Sequence, residues 1–548
     1  MSHKKEKEKK EEIWTRVFGD DYSSGVMSPL FFSWLRELIG PEKVKYYKGY
    51  LYVSTSFMRE LLQPENYPRY SRTYIMKHYF PDFMQDEIDN LPYKWYRKLL
   101  FTLVIALRHT NLLQSRTAKT YRKFKNKYKN YLNEFDKQFS NANSVEKLIQ
   151  MDKELDNHFM IHWLLAFGGG IHCIINTSIL KGLIEKWFDD KTLYDRLFLT
   201  SSNKTSETNL ALYRLAEEVR KDKNLSAIFT KSPDIIQKNI PKHSSFNKNY
   251  TIFIQNFGHR SFYRDFAYPR WKDDPSLIIE NIKKIALSLK NYDKEKKENR
   301  SKQQKAKEEL MNVSFWRKQL LKRRLHYAKT YIRFREDQRF NLDLHLSRKR
   351  SLYLKIGEIL TKKGILSEYE DIFYIDITNI DKLSLGDLPD IKEKVEQAKI
   401  KLELYKMDIP ATFFRGDNEF DKKLSIKKFF EGTAASAGKA RGVARIIKTI
   451  EDINILKEND ILVTRFTDPG WTPCFHMISG LVTEIGGLVS HGAIVAREYG
   501  IPAVTGVNKA CENIMSGDII TVDGNEGRVY KHEKLKNGPK QRPYPETA

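Results

Sequence analysis

The hydrophobic pattern changes period near residue 409, and that change constrains the fold more than any other feature. Upstream, apolar residues return every three or four positions over 99–113, 148–165, 278–289 and 315–342, the spacing of core-facing helices. Downstream, short runs rich in β-formers alternate with glycines at 442–447, 460–466, 480–484, 503–506, 518–522 and 528–531. The fold class is multidomain: a mainly α region over 14–407, a polar linker over 408–428 that contains Pro410, and a compact α/β domain over 429–533. Residues 1–13 and 534–548 read as polar tails.

Charge raises a second question. The 548 residues include 95 Lys and Arg against 70 Asp and Glu, a net charge of +25. Such an excess invites phosphate-backbone contact, but no base-reading motif accompanies it, so nucleic acid is not the expected partner. Most of the Lys is expected on solvated helix faces, including the run 292–309, which reads as an exposed helical arm or a linker. With 41% hydrophobic residues a wholly disordered chain is excluded. Three cysteines, Cys173, Cys474 and Cys511, are too few for a disulfide framework and suit a reducing, cytoplasmic setting. The Lys/Glu run at the N-terminus lacks the apolar core of a secretory signal. The most apolar stretch, 159–175, carries His162, His172 and Gly168-Gly169-Gly170, and is expected as a core helix broken at the glycines rather than a membrane span.

Chemistry concentrates between Leu481 and Val504, where the sequence reads strand, Gly486-Gly487 turn, short helix, Gly500-Ile501-Pro502 and strand again. Ser490 is a natural N-cap, which puts His491 in the first helical turn. There the positive end of the helix disfavours imidazolium and keeps the ring neutral and nucleophilic. The free amides of the same turn suit an anion such as a phosphoryl group. The bland alternative is a histidine that only packs at a helix start.

This stretch closely resembles the phosphohistidine swivelling domain of the phosphoenolpyruvate-utilising enzymes. The resemblance extends over Gly432-Thr433-Ala434-Ala435-Ser436-Ala437-Gly438 with Gly442-Val443-Ala444-Arg445, over Thr464 to Pro473, and over Asp518 to Gly527. It implies that His491 is the phosphoryl carrier, with Thr483, Gly486, Gly487 and Ser490 supporting it. The helical region resembles, more weakly, the acceptor-binding domain of the rifampicin phosphotransferase branch. Gly25 to Leu30, Gly258-His259-Arg260 with Pro269-Arg270-Trp271 and Asp274-Pro275, and Asp371-Ile372-Phe373-Tyr374 carry that likeness. Where relatives carry a Gly-Glu pair this chain has Ser261-Phe262-Tyr263-Arg264-Asp265, a departure that bears on the identity of the acceptor.

Arg335 and Arg339, four apart, share one helix face and could clamp a phosphoryl group. The resemblance supports this, with Arg333, Arg260 and His259 as further substrate-binding candidates, while a solvated basic face is the alternative for the 333–339 run. No metal-ligand cluster stands out. Neither an ATP-grasp domain nor a Gly-x-x-x-x-Gly-Lys-Ser/Thr loop is recognisable, nor a barrel for phosphoenolpyruvate. The expectation is therefore a two-component system similar to phenylphosphate synthase: ATP and Mg²⁺ held by a separate ATP-grasp-type subunit, and a small hydroxyl-bearing acceptor, alcohol or phenol, held by this chain. An antibiotic kinase component or a non-catalytic relative is the alternative, and a basic nucleic-acid-binding protein comes third.

Overall fold

A computed structural model describes residues 12–16, 26–62, 84, 111–190, 192–200, 203–242, 244–261, 263–287, 292–380, 382, 389–407, 410–416, 418–420, 429–448 and 450–532. Residues 1–11 of the expected tail 1–13, the expected tail 534–548 with residue 533, and residues 99–110 of the apolar run 99–113 lie outside them.

The N-terminal part is built on long helices: α1 (Pro29–Ile39), α2 (Asn111–Asn141), α3 (Val145–Trp187), α4 (Lys204–Lys221), α5 (Ser245–Phe257), α6 (Ser276–Leu287), α7 (Tyr292–Leu310), α8 (Phe315–Lys362) and α9 (Ile391–Met407). The arm predicted at 292–309 is the largely exposed helix α7. Ser28 caps α1 and Ser144 caps α3, each accepting a backbone N–H with its hydroxyl. Among the described residues no helix is long and apolar enough to cross a membrane.

Three expectations need correction. Helix α3 runs unbroken through Gly168-Gly169-Gly170. A Cβ at Gly169 would lie 2.0 Å from the Phe334 ring, so that glycine lets α8 approach α3 closely instead of ending the helix. The tail expected over 1–13 reaches too far, because Ile13 starts a buried strand, β1 (Ile13–Thr15), and Glu12 accepts a hydrogen bond from Ser54 at 2.9 Å. The linker expected over 408–428 contains folded structure where it is described, at 410–416 and 418–420. After β2 (Val44–Tyr47) and β3 (Tyr50–Ser54), the strands β4 (Phe413–Arg415) and β5 (Asn418–Phe420) complete a five-stranded sheet, ordered β2-β3-β1-β4-β5. Phe413 and Phe414 are buried, and Phe414 stacks on Trp14, so burial of aromatics overrides the polar surroundings. Residues 421–428 lie outside the described residues.

The C-terminal part is a mixed sheet with the order β6-β13-β12-β8-β9-β10-β11-β7. Its strands are β6 (Phe429–Glu431), β7 (Thr433–Ser436), β8 (Lys439–Ile446), β9 (Ile461–Thr464), β10 (Gly480–Thr483), β11 (Ala503–Thr505), β12 (Ile519–Asp523) and β13 (Arg528–His532). The central strands β8 to β11 pair in parallel, and β9 and β10 are wholly buried, which explains their continuous apolar sequences. Helix α10 (His491–Tyr499) makes the crossover from β10 to β11. This domain packs against α4, α5 and α6, and one hydrophobic cluster includes Leu212, Phe253 and Ile282 of those helices with Trp471, Leu481 and Ala493 of the sheet domain.

Candidate phosphoryl-carrier site

His491 opens α10 at the carboxyl ends of the parallel strands, where open α/β sheets place their ligands. Ser490 caps the helix: its hydroxyl accepts from Ala493 N–H and donates to the Gly487 carbonyl at 2.9 Å. The turn before it needs glycine at position 486, where φ is +129° and a Cβ would lie 2.9 Å from Ser490 Oγ. Gly486→Ala is expected to cost about 1–3 kcal/mol, read as a lowered Tm; an unchanged Tm would show that the turn tolerates a side chain. Thr483 donates its hydroxyl to the Ile485 carbonyl at 2.8 Å, which fixes the end of β10. Gly492 lets α10 approach Thr467, because a Cβ there would meet Thr467 Oγ1 at 2.5 Å. The four supporting residues thus shape the turn that presents His491.

The imidazole is 1% exposed, and its Nδ1 lies 3.1 Å from Oε2 of Glu336, on α8 of the other domain. Thr205 Oγ1 donates to the same oxygen at 2.7 Å, and Glu336 Oε1 is buried with no hydrogen-bond partner. Burial lowers the His491 pKa, with Glu336 opposing and the positive charges of Arg339 and Arg260 adding to the fall. Burial would raise Glu336, but His491, Arg339 and Thr205 outweigh it and hold the carboxyl down at about 2. The lowered pKa of His491 favours its neutral form, in which Nδ1–H donates to a Glu336 carboxylate that Arg339 and Thr205 also help to keep ionised. That tautomer, assigned from the hydrogen bond, leaves the Nε2 lone pair free for nucleophilic attack.

Around this pair lies a buried cluster of charges contributed by both domains. Arg264 Nη2 is 3.4 Å and Arg339 Nη1 3.8 Å from Oδ1 of Asp468, which lines the same cleft as His491. Arg264 and Arg260 each approach Asp343 to 3.8 Å. Arg260 also donates to Thr208 Oγ1 at 2.9 Å and lies over the Trp271 ring, while its Nε and Asp343 Oδ2 have no hydrogen-bond partner. Of the residues expected from sequence, the structure brings Arg339 and Arg260 to His491. Arg335 lies near Cys173, whose thiol feels its charge; Arg333 is exposed; His259 is buried edge-on to Phe340.

Sequence reasoning placed Glu336 on the 333–339 run, where the resembling family carries Arg-Glu facing the phosphohistidine, but did not pair it with His491. It missed Thr205, Arg264, Asp343 and Asp468 as site residues. A faint signal existed for Glu336, the first acidic residue in 315–339 after eight Lys and Arg in 315–335. Among the described residues no group of three or more His, Cys, Asp and Glu is placed to hold a metal ion.

Comparison with known proteins follows the same division. Residues 456–527 match the PEP-utilising enzyme mobile domain, and residues 167–336 match the rifampicin phosphotransferase fourth domain. A rifampicin phosphotransferase of Bacillus cereus is 30% identical over 406 residues, covering 70% of this chain and 46% of the relative. YvkC of Bacillus subtilis, described as an uncharacterized phosphotransferase, is 29% identical over 348 residues, covering 60% of this chain and 42% of its own length. The prodigiosin synthesizing transferase PigC of Serratia marcescens is 26% identical over 356 residues, covering 62% and 40%. The chain thus spans less than half the length of these relatives. By these matches the chain carries a mobile domain of the phosphoenolpyruvate-utilising enzymes, joined to a helical region that matches the rifampicin phosphotransferase fourth domain.

Proposed function

We propose that this chain is a phosphotransferase component in which Nε2 of His491 accepts a phosphoryl group and delivers it to a hydroxyl-bearing acceptor held by the helical domain. One observation carries the reading: a buried, neutral His491 whose Nδ1–H is held by the Glu336 carboxylate of the opposite domain, 155 positions away. A histidine serving only the stability of its own domain has no need of an ionised partner on another.

In the charging step two P–O bonds of ATP break. The Nε2 lone pair attacks the β phosphorus and AMP leaves with the electron pair of the bridging bond; water attacks the γ phosphorus, releasing phosphate and leaving one phosphoryl group on Nε2. The ATP belongs on a separate ATP-grasp-type partner, and the family's overall products are AMP and phosphate. Mg²⁺ is expected there too, where it would neutralise phosphate charge. Charging requires the sheet domain to leave the helical domain, since His491 is buried in the docked arrangement.

Discharge takes place in the docked arrangement. The acceptor oxygen bonds to phosphorus as the Nε2–P bond breaks, the electron pair returns to the ring, and the hydroxyl proton passes to water. Glu336 keeps Nδ1 protonated, so the leaving group is neutral imidazole instead of imidazolate. Arg260, Arg264 and Arg339 offer positive charge to the transferring group, the stabilisation on which phosphoryl transfer mostly depends.

The test is incubation with ATP labelled at each phosphate in turn and the ATP-grasp partner. Label that is acid-labile, alkali-stable and mapped to the peptide containing His491 is the expected result. Label that is acid-stable, or that maps to another residue, would refute the assignment.

A further inference from the structure

The docked arrangement leaves no room for the group that His491 is to carry. The imidazole side chain is wholly buried, and the cleft it shares with Phe466, Thr467 and Asp468 measures about 10 Å³. That is space for one water at most, so a phosphoryl group enters only if a neighbouring side chain gives way.

The chemistry of the cleft identifies that neighbour. Asp468 is 4% exposed, and its Oδ1 lies 3.4 Å from Arg264 Nη2 and 3.8 Å from Arg339 Nη1. Both arginines belong to the helical domain, whereas Asp468 belongs to the sheet domain that carries His491. Asp468 also precedes the short 3₁₀ segment Pro469–His476, a position from which an aspartate commonly bonds the free amides of the first turn. Its side chain makes no such bond. The carboxylate therefore faces the guanidinium groups instead of capping its own segment.

Charge points the same way. A phosphoryl group brings about −1.5 to −2 units of charge and three acceptor oxygens. Beside Asp468 in a buried cleft it would repel the carboxylate. In place of that carboxylate it would offer Arg264 and Arg339 more charge and more acceptors.

We infer that Asp468 is a placeholder for the phosphoryl group: in the unphosphorylated chain its carboxylate occupies the anion site of Arg264 and Arg339, and phosphorylation of His491 displaces it. The inference rests on the reading of His491 as phosphoryl carrier. It adds how the docked site stays neutralised before the carrier is charged. One anion replaces another, so the buried guanidinium charge is met at both stages.

Inorganic phosphate is the probe, titrated into the full unphosphorylated chain at neutral pH and followed by calorimetry. Asp468→Ala vacates the anion site and is expected to bind phosphate at least about tenfold more tightly than the unaltered protein, the worth of one charge-assisted contact. Adding Arg339→Gln to that variant is expected to remove most of the gain. Glu512→Gln, which removes one negative charge from an exposed position of the same domain, is expected to leave phosphate affinity unchanged. Circular dichroism checks the fold of each variant. If Asp468→Ala does not fold, Asp468→Asn, which keeps the shape and loses the charge, is read in its place. A purely structural Asp468 would weaken the fold on substitution without creating a phosphate site. Phosphate affinity that ignores loss of the carboxylate, a gain untouched by Arg339→Gln, or an equal gain in Glu512→Gln would overturn the assignment. The two readings fail separately: a phosphorylated His491 in a chain whose phosphate affinity ignores Asp468 defeats only the placeholder, and a gain in phosphate affinity without phosphorylation defeats only the carrier.

Discussion

Glu336→Gln is expected to slow discharge of the phosphohistidine by about 100-fold, close to 2.7 kcal/mol of barrier, while leaving charging unchanged. The asymmetry follows from where the residue sits. Glu336 lies on α8 of the helical domain and meets His491 only when the domains are docked. During charging the histidine must be elsewhere, so its rate should not register the substitution. During discharge the carboxylate holds the Nδ1 proton that makes imidazole a neutral leaving group. Glutamine keeps the shape and can accept the same hydrogen bond, but it carries no charge to hold the proton. Single-turnover measurements, with the phosphorylated protein formed first and acceptor added second, separate the two rates. Equal slowing of both would mean that Glu336 acts on the fold. No slowing of discharge would mean that the Nδ1 contact is incidental to the chemistry.

The parts of this site differ in how well the sequence announces them, and the difference is one of range. His491 was legible because its signals are local: a glycine turn, a capping serine and a helix start within six positions. The parallel strands β9 and β10 were legible because burial on both faces demands continuous apolar residues. The pairings of Glu336, Arg264 and Asp468 were not, since no local signal names the distant partner of a charged residue. Their roles arise from docking of two surfaces far apart in sequence. Arg264 shows this well: it stands in the segment that departs from the family pattern, and the structure places its guanidinium at Asp468 of the sheet domain. Gly169 was misread for the same reason, because a glycine permits a helix break or a close approach. The choice was made by Phe334, a residue on another helix. Strand β4 was hidden by its shortness, and its pairing with β1 and β5 reveals it.

Lys349→Met should destabilise the protein by about 3–5 kcal/mol, the largest stability loss expected from a single substitution away from the site. Lys349 is fully buried on α8, with its ammonium 2.8 Å from Asp152 and 2.8 Å from Asp156, both on α3. Trp34 of α1 donates to Asp156 at 3.1 Å, His345 lies 3.0 Å from it, and Tyr128 of α2 hydrogen-bonds the other nitrogen of His345 at 2.9 Å. One cation therefore underlies a network that ties four helices together. It also sets the position of α8, the helix that carries Glu336 and Arg339. Methionine fills the space but leaves the buried Asp152 and the half-buried Asp156 carboxylates facing each other. The pH dependence identifies the cause. In the native protein burial raises Asp156, but Lys349 and His345 outweigh it and hold its carboxyl well below the usual range. Its stabilising contribution is present above the unfolded value near 4 and fades as pH falls through the folded value. In the variant the unpaired carboxylates have raised values, so the folded state gains protons more readily than the unfolded one and recovers stability on acidification. The gap between the two proteins should be widest near neutrality and narrow towards pH ~4, measured by urea denaturation across that range. A gap independent of pH would assign the loss to packing, and removal of the repulsion by adding Asp152→Asn to the Lys349→Met variant should restore part of the stability at neutral pH.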